Sequence, residues 1–460
     1  MAWLNRNPFP LGLHYLSAME CGLRIPVFFY ALKLLRLTDE EFAAIGRAAW
    51  RHAWLTRRRL SLYSSLGNHT IAECAGLAFA AALFPGSGEG RDWLDTAVSL
   101  LRREISHQIL ADGGPVEQSF AYHRFVLDLY WLTTDFLGRN GLADLRDLLP
   151  RLRAGEEFLA AFRDRRGNLP AIGDSDDGRA VAPSLAPARW EAPLPEPGVR
   201  SFPDAGYSVF RCACGALLTF DHGPLGMPPL YNHGHADALS VTYSLEGIPF
   251  LVDPGTFRYN GDPVSRAWFK GTRSHCTVTI DGEDQAVQET GFIWSRPYRS
   301  GIVTRRDKDA MVRLEAIHDG YARLREPVRH KRSVLLFDDG CFLIRDSFWG
   351  EGVHLFEANL HIHPDVLIRR EGTWWLLEND GRTVAVLVAA GRNGTEEGAE
   401  PSLHGGWFSP AYGSRRESSL LRLSQRGIPQ DVSFSTIICA GKPLEEGRKE
   451  RLLCSVSQIG

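Results

Sequence analysis

Tyr231-Asn232-His233-Gly234-His235-Ala236-Asp237-Ala238-Leu239-Ser240, followed by Val252-Asp253-Pro254-Gly255-Thr256, is the stretch on which the reading of this chain turns. Two histidines flank a glycine, an apolar-rich hairpin follows, and an aspartate stands at a tight turn. In an extended segment residues i and i+2 point to the same side, so His233 and His235 can serve one cavity. Asp253 follows His235 by 253 − 235 = 18 residues. That is room for a strand, a turn at Glu246-Gly247 and a return strand ending beside the start. His275, in Arg273-Ser274-His275-Cys276-Thr277, is a third candidate. Histidine, aspartate and histidine make a zinc set of nitrogen and oxygen ligands. A polar cluster holding a sheet edge is the other reading.

Outward from this stretch, everything after Gly206 reads as strands. Tyr207-Ser208-Val209-Phe210 and Leu217-Leu218-Thr219-Phe220 flank Cys214-Gly215. Val334–Phe337 and Cys341–Ile344 flank Asp338-Asp339-Gly340. Trp374–Leu377 and Val384–Val388 flank Asn379-Asp380-Gly381. Asp-Gly between apolar runs is a hairpin signal, and many hairpins in succession predict a large antiparallel β-sandwich over 206–460. Residues 183–205 hold Pro183, Pro187, Pro193, Pro195, Pro197 and Pro203 and read as a linker.

Residues 1–182 read as helical. Thr38 with Glu41 forms a capping box that opens a helix through Ala53. Helical periods follow over Thr70–Phe84, Arg91–Ala111, Phe120–Leu137 and Leu142–Phe162, separated by Gly- and Pro-rich loops. Antiparallel helices of this length suit a bundle or an α/α toroid. The first domain is therefore 1–182 and the second 206–460.

Composition excludes several classes. Hydrophobic residues make up 44% and charged residues 23% of the 460, ordinary for a globular protein of two or three domains. With 52 Lys and Arg against 55 Asp and Glu there is no global basic field for nucleic acid. An anionic polymer would be held by local groups, with Arg57-Arg58-Arg59 and Arg102-Arg103 as candidates beside their plainer reading as solvated helix faces. The eight cysteines are scattered and read as reduced or buried thiols rather than a disulfide framework; a mutual bond within Cys212-Ala213-Cys214, alternating along a strand, is not expected. No apolar run reaches the roughly 18 residues of a membrane span, and the first residues do not form a signal peptide.

Two places in the helical half carry chemistry-bearing side chains. Asn68-His69 stands at the mouth of one helix, where Asn68 could be merely an N-cap. Glu117-Gln118-Ser119 with Tyr122-His123 stands at the start of another, where Ser119 could be the cap and Tyr122 a packing residue. Asn, His and Tyr together with His233 suit β-elimination on a uronic acid. Removing the C5 proton builds negative charge beside a carboxylate, so neutral or positive donors must stabilise it; Asn68 and His69 fit. A base must take the proton and an acid must protonate the departing 4-oxygen. Tyr122 fits both tasks if neighbours lower its pKa from about 10, with His233 as partner.

These residues also carry a resemblance. His233–Ser240 followed by Val252–Thr256 looks like the C-terminal sheet domain of the heparinase II/III-like polysaccharide lyases. Ser274–Gly282 resembles a second block of that family, where asparagine is more usual than Cys276. Asn68-His69 with Glu73, and Glu117–Ser119 with Tyr122-His123, resemble the two toroid motifs of that family and of related alginate lyases. The resemblance implies an α/α toroid followed by a β-sandwich and a uronic-acid-containing acidic polysaccharide as substrate. It makes Asn68 and His69 carboxylate-binding or base groups, Tyr122 base and acid, and His233 the active-site histidine. His235, Asp253 and His275 become ligands of a structural zinc. Gly173-Asp174-Ser175-Asp176-Asp177-Gly178 resembles the family's end-of-toroid loop and is read as a structural turn rather than a calcium loop.

Pro8–Tyr15 resembles a block that relatives carry well inside the toroid. The expectation is an incomplete toroid, either shortened or begun late, without a secretion signal. Its uncovered apolar faces would favour a homodimer. Location follows the same division: periplasmic or secreted by resemblance, cytoplasmic if the start is real. Two rivals stand beside the lyase. A hydrolase on a similar toroid needs two paired carboxylic acids, and Glu73, Glu117 and Asp174 form no evident pair. A non-catalytic polysaccharide-binding or assembly protein is the other.

Overall fold

The computed structural model describes residues 1–63, 65–181, 187–308, 311–391 and 400–455. Residues 182–186, with Pro183 of the proline-rich stretch, lie outside the described residues. The chain divides into two compact units. One comprises Met1–Val116, Tyr122–Glu157 and Arg179–Ala192; the other Glu117–Ala121, Phe158–Gly178 and Pro193–Gly460.

The first unit is helical: α1 (Ala2–Arg6), α2 (Ala18–Leu34), α3 (Asp39–Arg58), α4 (Asn68–Leu83), α5 (Gly88–Gln108) and most of α6 (Phe120–Arg139) and α7 (Leu149–Phe162). The Thr38–Glu41 capping box forms as its spacing predicts, with both reciprocal hydrogen bonds made. α2 carries Pro26 inside. α4 is buried along almost its whole length, as its Ala-rich sequence requires. It crosses α2 at Gly76 and Gly22, where a Cβ on Gly76 would stand 2.5 Å from the Gly22 carbonyl oxygen.

The second unit is built on antiparallel sheets. Its strands are β1 (Gly198–Phe202), β2 (Tyr207–Arg211), β3 (Ala216–Asp221), β4 (Val241–Leu245) and β5 (Ile248–Leu251). After α8 (Pro263–Lys270) come β6 (Val278–Ile280), β7 (Val287–Gln288), β8 (Trp294–Ser295), β9 (Ser300–Lys308), β10 (Met311–His318), β11 (Val328–Phe337) and β12 (Phe342–Gly350). The chain continues through β13 (His354–Ile362), β14 (Leu367–Glu371), β15 (Trp374–Asn379), β16 (Arg382–Ala390), β17 (Ser402–Ala411), β18 (Ser414–Gly427) and β19 (Ser433–Ala440), and then α9 (Glu446–Ser455).

One sheet runs β1-β2-β3-β4-β5-β13-β18-β17 with β6 on β13; the other runs β14-β15-β16-β19-β12-β11-β10-β9. Phe210, Leu218, Phe342, Val384 and Phe434 share one large apolar core drawn from both sheets. The hairpins expected from the sequence form as β2–β3, β11–β12 and β15–β16. At the last, Asp380 and Gly381 both take positive φ, as a tight hairpin turn of this kind requires. The sheet begins before Gly206. Gly198–Phe202 lies between Pro197 and Pro203, is free of proline, and pairs with β2 from Gly198↔Arg211 to Phe202↔Tyr207.

Candidate active site and metal centre

The sheet unit gathers its share of the sequence-predicted residues in the connections around β3 to β6. His233 and His235 lie between β3 and β4, Asp253 two residues past the end of β5, and His275 after a short 3-10 turn, Thr272–Ser274. Gly234 is fixed by sterics, because a Cβ there would stand 1.6 Å from the Leu225 carbonyl oxygen. The hairpin β4–β5 brings Asp253 back as its length predicts, with its Oδ2 3.6 Å from His275 Nε2.

At the centre is Asp174, fully buried, a residue that the sequence alone presents as part of a turn and as an unpaired carboxylic acid. Its backbone N–H donates to the His233 carbonyl, and the Ser119 hydroxyl donates to its carbonyl. Its side chain joins four others. Oδ2 lies 3.1 Å from His233 Nδ1 and Oδ1 lies 3.1 Å from His235 Nε2. Arg266, from α8, donates to both oxygens at 2.5 and 2.7 Å, and the Thr256 hydroxyl donates to Oδ1 at 2.8 Å. Burial opposes ionisation here. The Arg266 charge and the histidine hydrogen bonds outweigh it and hold the Asp174 carboxyl well below the usual range.

The ring protons follow from the partners. A carboxylate only accepts, so His233 and His235 donate Nδ1–H and Nε2–H to Asp174. That makes Nε2 the lone-pair nitrogen of His233, the one able to take a proton. It makes Nδ1 the lone-pair nitrogen of His235, and this atom faces His275 Nε2 at 3.2 Å. His275 Nδ1 lies 2.8 Å from the Gly271 carbonyl, which also only accepts, and 3.1 Å from the Ser274 hydroxyl, whose own proton goes to that carbonyl at 2.7 Å, so Nδ1 carries the proton and Nε2 is bare as well. Two lone pairs therefore point at one another. Burial lowers the His235 pKa to about 4, and burial with the neighbouring His235 takes His275 well below its ordinary value, so a proton does not fill the gap at neutral pH.

Carboxylates stand beside this pair. His235, Asp237 and His275 bring one ligand atom each within 4.8 Å of one another and are, among the described residues, the group placed to share a cation. Asp253 adds an oxygen at the His275 side. Burial first, then the neighbouring Asp221 and Asp253 charges, push Asp237 well above its ordinary pKa; burial and Asp221 do the same to Asp253. Two bare imidazole nitrogens with two reluctant carboxylates are the donor chemistry of a tetrahedral zinc site. His235, Asp253 and His275 are the three ligands expected from the sequence, and Asp237 joins them in the structure. Asp237 stands at i+2 from His235, and that spacing was a usable signal.

Lys270 was also missed. It is buried at the end of α8, donates to the Asn232 and Gly291 carbonyls at 3.2 and 3.3 Å, and lies over the Trp294 ring. Burial and the Arg266 charge lower its pKa to about 7. Beside Arg266 a cavity of about 480 Å3 is lined by Tyr259, Asn260, Thr290 and Phe292. Tyr259 also meets the His233 ring, at 6.5 Å.

Asn68, His69 and Tyr122 belong to the helical unit. Asn68 is buried and is the first residue of α4, whose N-cap is Gly67, so the capping reading of Asn68 does not hold. His69 follows it, half-buried, in the same first turn. Tyr122 is half-buried in the first turn of α6, with its ring 6.3 Å from Phe125.

A helical unit followed by a two-sheet antiparallel sandwich is the architecture of known polysaccharide lyases. A crystal structure of heparinase III matches at a TM-score of 0.80 with 16% identity, covering 95% of this chain and 72% of that one. The structure of heparan sulfate lyase HepC from Pedobacter heparinus matches at 0.67 with 18% identity, covering 96% and 71%. The chain belongs to the heparinase II/III-like family: residues 194–447 match its C-terminal domain, "Heparinase II/III-like, C-terminal", and residues 15–152 match "Heparinase II/III N-terminus". A heparin-sulfate lyase of Bacteroides stercoris is 24% identical over 416 residues, covering 83% of this chain and 58% of that protein. One of Pedobacter heparinus is 25% identical over 348 residues, covering 70% and 48%. The chain thus spans about half the length of the curated relatives it matches.

Proposed function

We propose that this chain is a polysaccharide lyase that cleaves a uronic-acid-containing acidic polysaccharide by β-elimination. The observation that carries the reading is that both family domains match in order along one chain, with Asn68, His69 and Tyr122 inside the first match and His233 inside the second. Asn68 and His69 neutralise the C5 carboxylate, so charge building on C5 during proton removal is stabilised. Tyr122 takes the C5 proton and returns a proton to the departing 4-oxygen. His233, held by Asp174 through Nδ1, presents Nε2 as the proton partner. No water is consumed, and the new chain end carries a carbon–carbon double bond conjugated to the carboxylate.

A zinc ion belongs to the same proposal. His235 Nδ1, His275 Nε2, Asp237 and Asp253 would hold it, and bound there it supplies a brace for the connections that carry His233 rather than a reacting centre. The lone-pair geometry of the two histidines supports this assignment.

The test is ultraviolet absorbance during incubation with heparan-type, alginate and other uronic-acid polysaccharides, alongside a reducing-end assay. Wild type is expected to raise both signals on at least one substrate. Tyr122→Phe and His233→Ala are each expected to lose at least about 100-fold in rate. Reducing ends without an absorbance rise would mean hydrolysis. Substrate binding without either signal would mean a binding protein. Either result overturns the proposal.

A further inference from the structure

Four cysteines from distant parts of the sequence meet at one end of the sheet unit. Cys212 and Cys214 form the β2–β3 turn, closed by Cys212 N–H to the Ala216 carbonyl and Gly215 N–H to the Cys212 carbonyl. The Cys214 sulfur presses on the β11–β12 turn, only 2.9 Å from where a Cβ on Gly340 would stand. Cys341 follows Gly340, and Cys439 lies in β19. All four are free thiols. Among the described residues no three of their sulfurs share ligand distance, so their chemistry is pairwise.

One pair is set up by the sheet itself. β12 and β19 are antiparallel with Phe342 opposite Ile438. Continued one step past the paired residues, that register sets Cys341 opposite Cys439. Directly opposed residues of an antiparallel pair share a face, with Cα atoms about 4.5 or 5.5 Å apart. Both spacings lie within the roughly 4.4–6.8 Å that a disulfide spans. The two side chains are buried in the same small apolar cluster with Leu335, Leu343 and Ile437. Cys439 is the neighbour that most raises the Cys341 thiol pKa.

We propose that Cys341 and Cys439 are a cross-strand redox pair that closes to a disulfide in an oxidising setting and opens in a reducing one. With oxidised glutathione as oxidant the step balances. One cysteine thiolate attacks the glutathione disulfide and releases one glutathione; the second thiolate attacks the mixed disulfide and releases the other. Both cysteine sulfurs are oxidised, the glutathione disulfide is reduced, and the two protons leave on two glutathione thiols. The bond would tie together two neighbouring strands of the eight-stranded sheet and close a loop of 439 − 341 = 98 residues. A loop that long removes much freedom from the unfolded chain. The inference is independent of the lyase reading.

The experiment incubates the folded chain with oxidised glutathione, blocks remaining thiols, and maps disulfide-linked peptides by mass spectrometry. Melting midpoints of oxidised and reduced samples are read in parallel. The expected result is a Cys341–Cys439 linked peptide and a midpoint higher by roughly 5 °C or more. Cys214→Ser should keep both, and Cys439→Ser should lose both. Cys341→Ala serves if that last variant does not fold, and the wild-type peptide map decides by itself. Thiols that stay blockable, a Cys212–Cys214 link in place of the expected one, or a link formed only after unfolding would each overturn the proposal.

Discussion

The sheet unit buries two carboxylates in nearly the same surroundings and completes only one of them. Asp346 accepts from His330 Nε2 at 2.7 Å and from Arg332 at 2.7 and 3.0 Å. His330 Nδ1 meets His318 Nε2 at 3.1 Å, and His318 Nδ1 accepts from the Gly320 N–H. Asp174 likewise binds an arginine and a histidine, and that histidine likewise meets another at 3.2 Å. The difference is where the protons fall. The chain from Gly320 N–H through His318 and His330 to Asp346 has a donor and an acceptor at every contact. At Asp174 the chain ends on the Gly271 carbonyl, which cannot donate, so His235 and His275 face each other lone pair to lone pair. A pair of touching buried histidines is therefore no signature in itself. The identity of the outermost partner, N–H or carbonyl, separates a closed structural relay from a pair of facing lone pairs, where the proposed cation would sit.

The largest effects should come from removing either carboxylate. Each leaves a buried arginine without its charge partner, which costs about 3–5 kcal/mol. Asp174→Ala and Asp346→Ala should therefore destabilise alike in chemical denaturation, yet only Asp174→Ala should also lower the bound zinc. Equal zinc contents in the two variants would erase the distinction between the webs. Chelation comes next. A ligand present at about a thousand times its Kd stabilises the folded state by about 4 kcal/mol. With the proposed zinc bound at about one per chain, wild type should melt lower after chelation. His235→Ala and His275→Ala should carry no zinc and show no response, while His318→Ala should keep both metal and response. A zinc-free wild type, or a His318→Ala variant that loses zinc as His235→Ala does, would remove the case for the metal.

A third buried carboxylate shows what happens without a guanidinium. Glu73, in the helical unit, accepts from the Ser61 N–H and hydroxyl at 2.7 Å each. Burial outweighs those two bonds and raises its pKa to about 7, whereas Arg332 and His330 overcome burial at Asp346 and hold it at about 2. For a group whose folded pKa is raised, the stabilising proton is fully present below the unfolded value near 4.5 and lost as pH rises through about 7. Over that window wild type should lose about 3 kcal/mol relative to Glu73→Gln, read from denaturation midpoints across the pH series. A flat difference would mean that Ser61 alone keeps Glu73 ionised.

How far the sequence reaches follows from the same contacts. His233, His235 and Asp253 were legible because a two-residue period and one hairpin of fixed length bring them together. The hairpins with Asp-Gly turns were legible for the same local reason, and so was the capping box at Thr38. Asp174 was not, since its role depends on His233, 59 residues away, and on Arg266, 92 residues away. No spacing rule connects an acidic turn at the end of a helical stretch to an arginine on a helix five strands further along the chain. β1 was hidden differently: its five residues sit between prolines, and composition masked a strand that only its pairing with β2 defines. The Cys341–Cys439 juxtaposition needed the β12–β19 register, which no stretch of sequence contains.

The smallest effect belongs to an ion pair with the same chemistry as the Asp174 clamp but placed in water. Arg57 and Asp92, on α3 and α5, make a two-point contact at 2.8 and 3.1 Å, close in form to that of Arg266 with Asp174. Their side chains are 36% and 51% exposed, against 1% and 0% for the buried pair. Solvent screens the attraction, and removing one partner leaves the other hydrated rather than stranded. Asp92→Asn should therefore change stability by less than about 1 kcal/mol and should fade further in high salt. Asp174→Asn, an equally conservative change, keeps the volume but removes the charge that Arg266 faces, and should remain costly at any salt concentration. A large, salt-insensitive loss in Asp92→Asn would show that geometry rather than burial sets the strength of these pairs, and would undercut the ranking of all the larger effects.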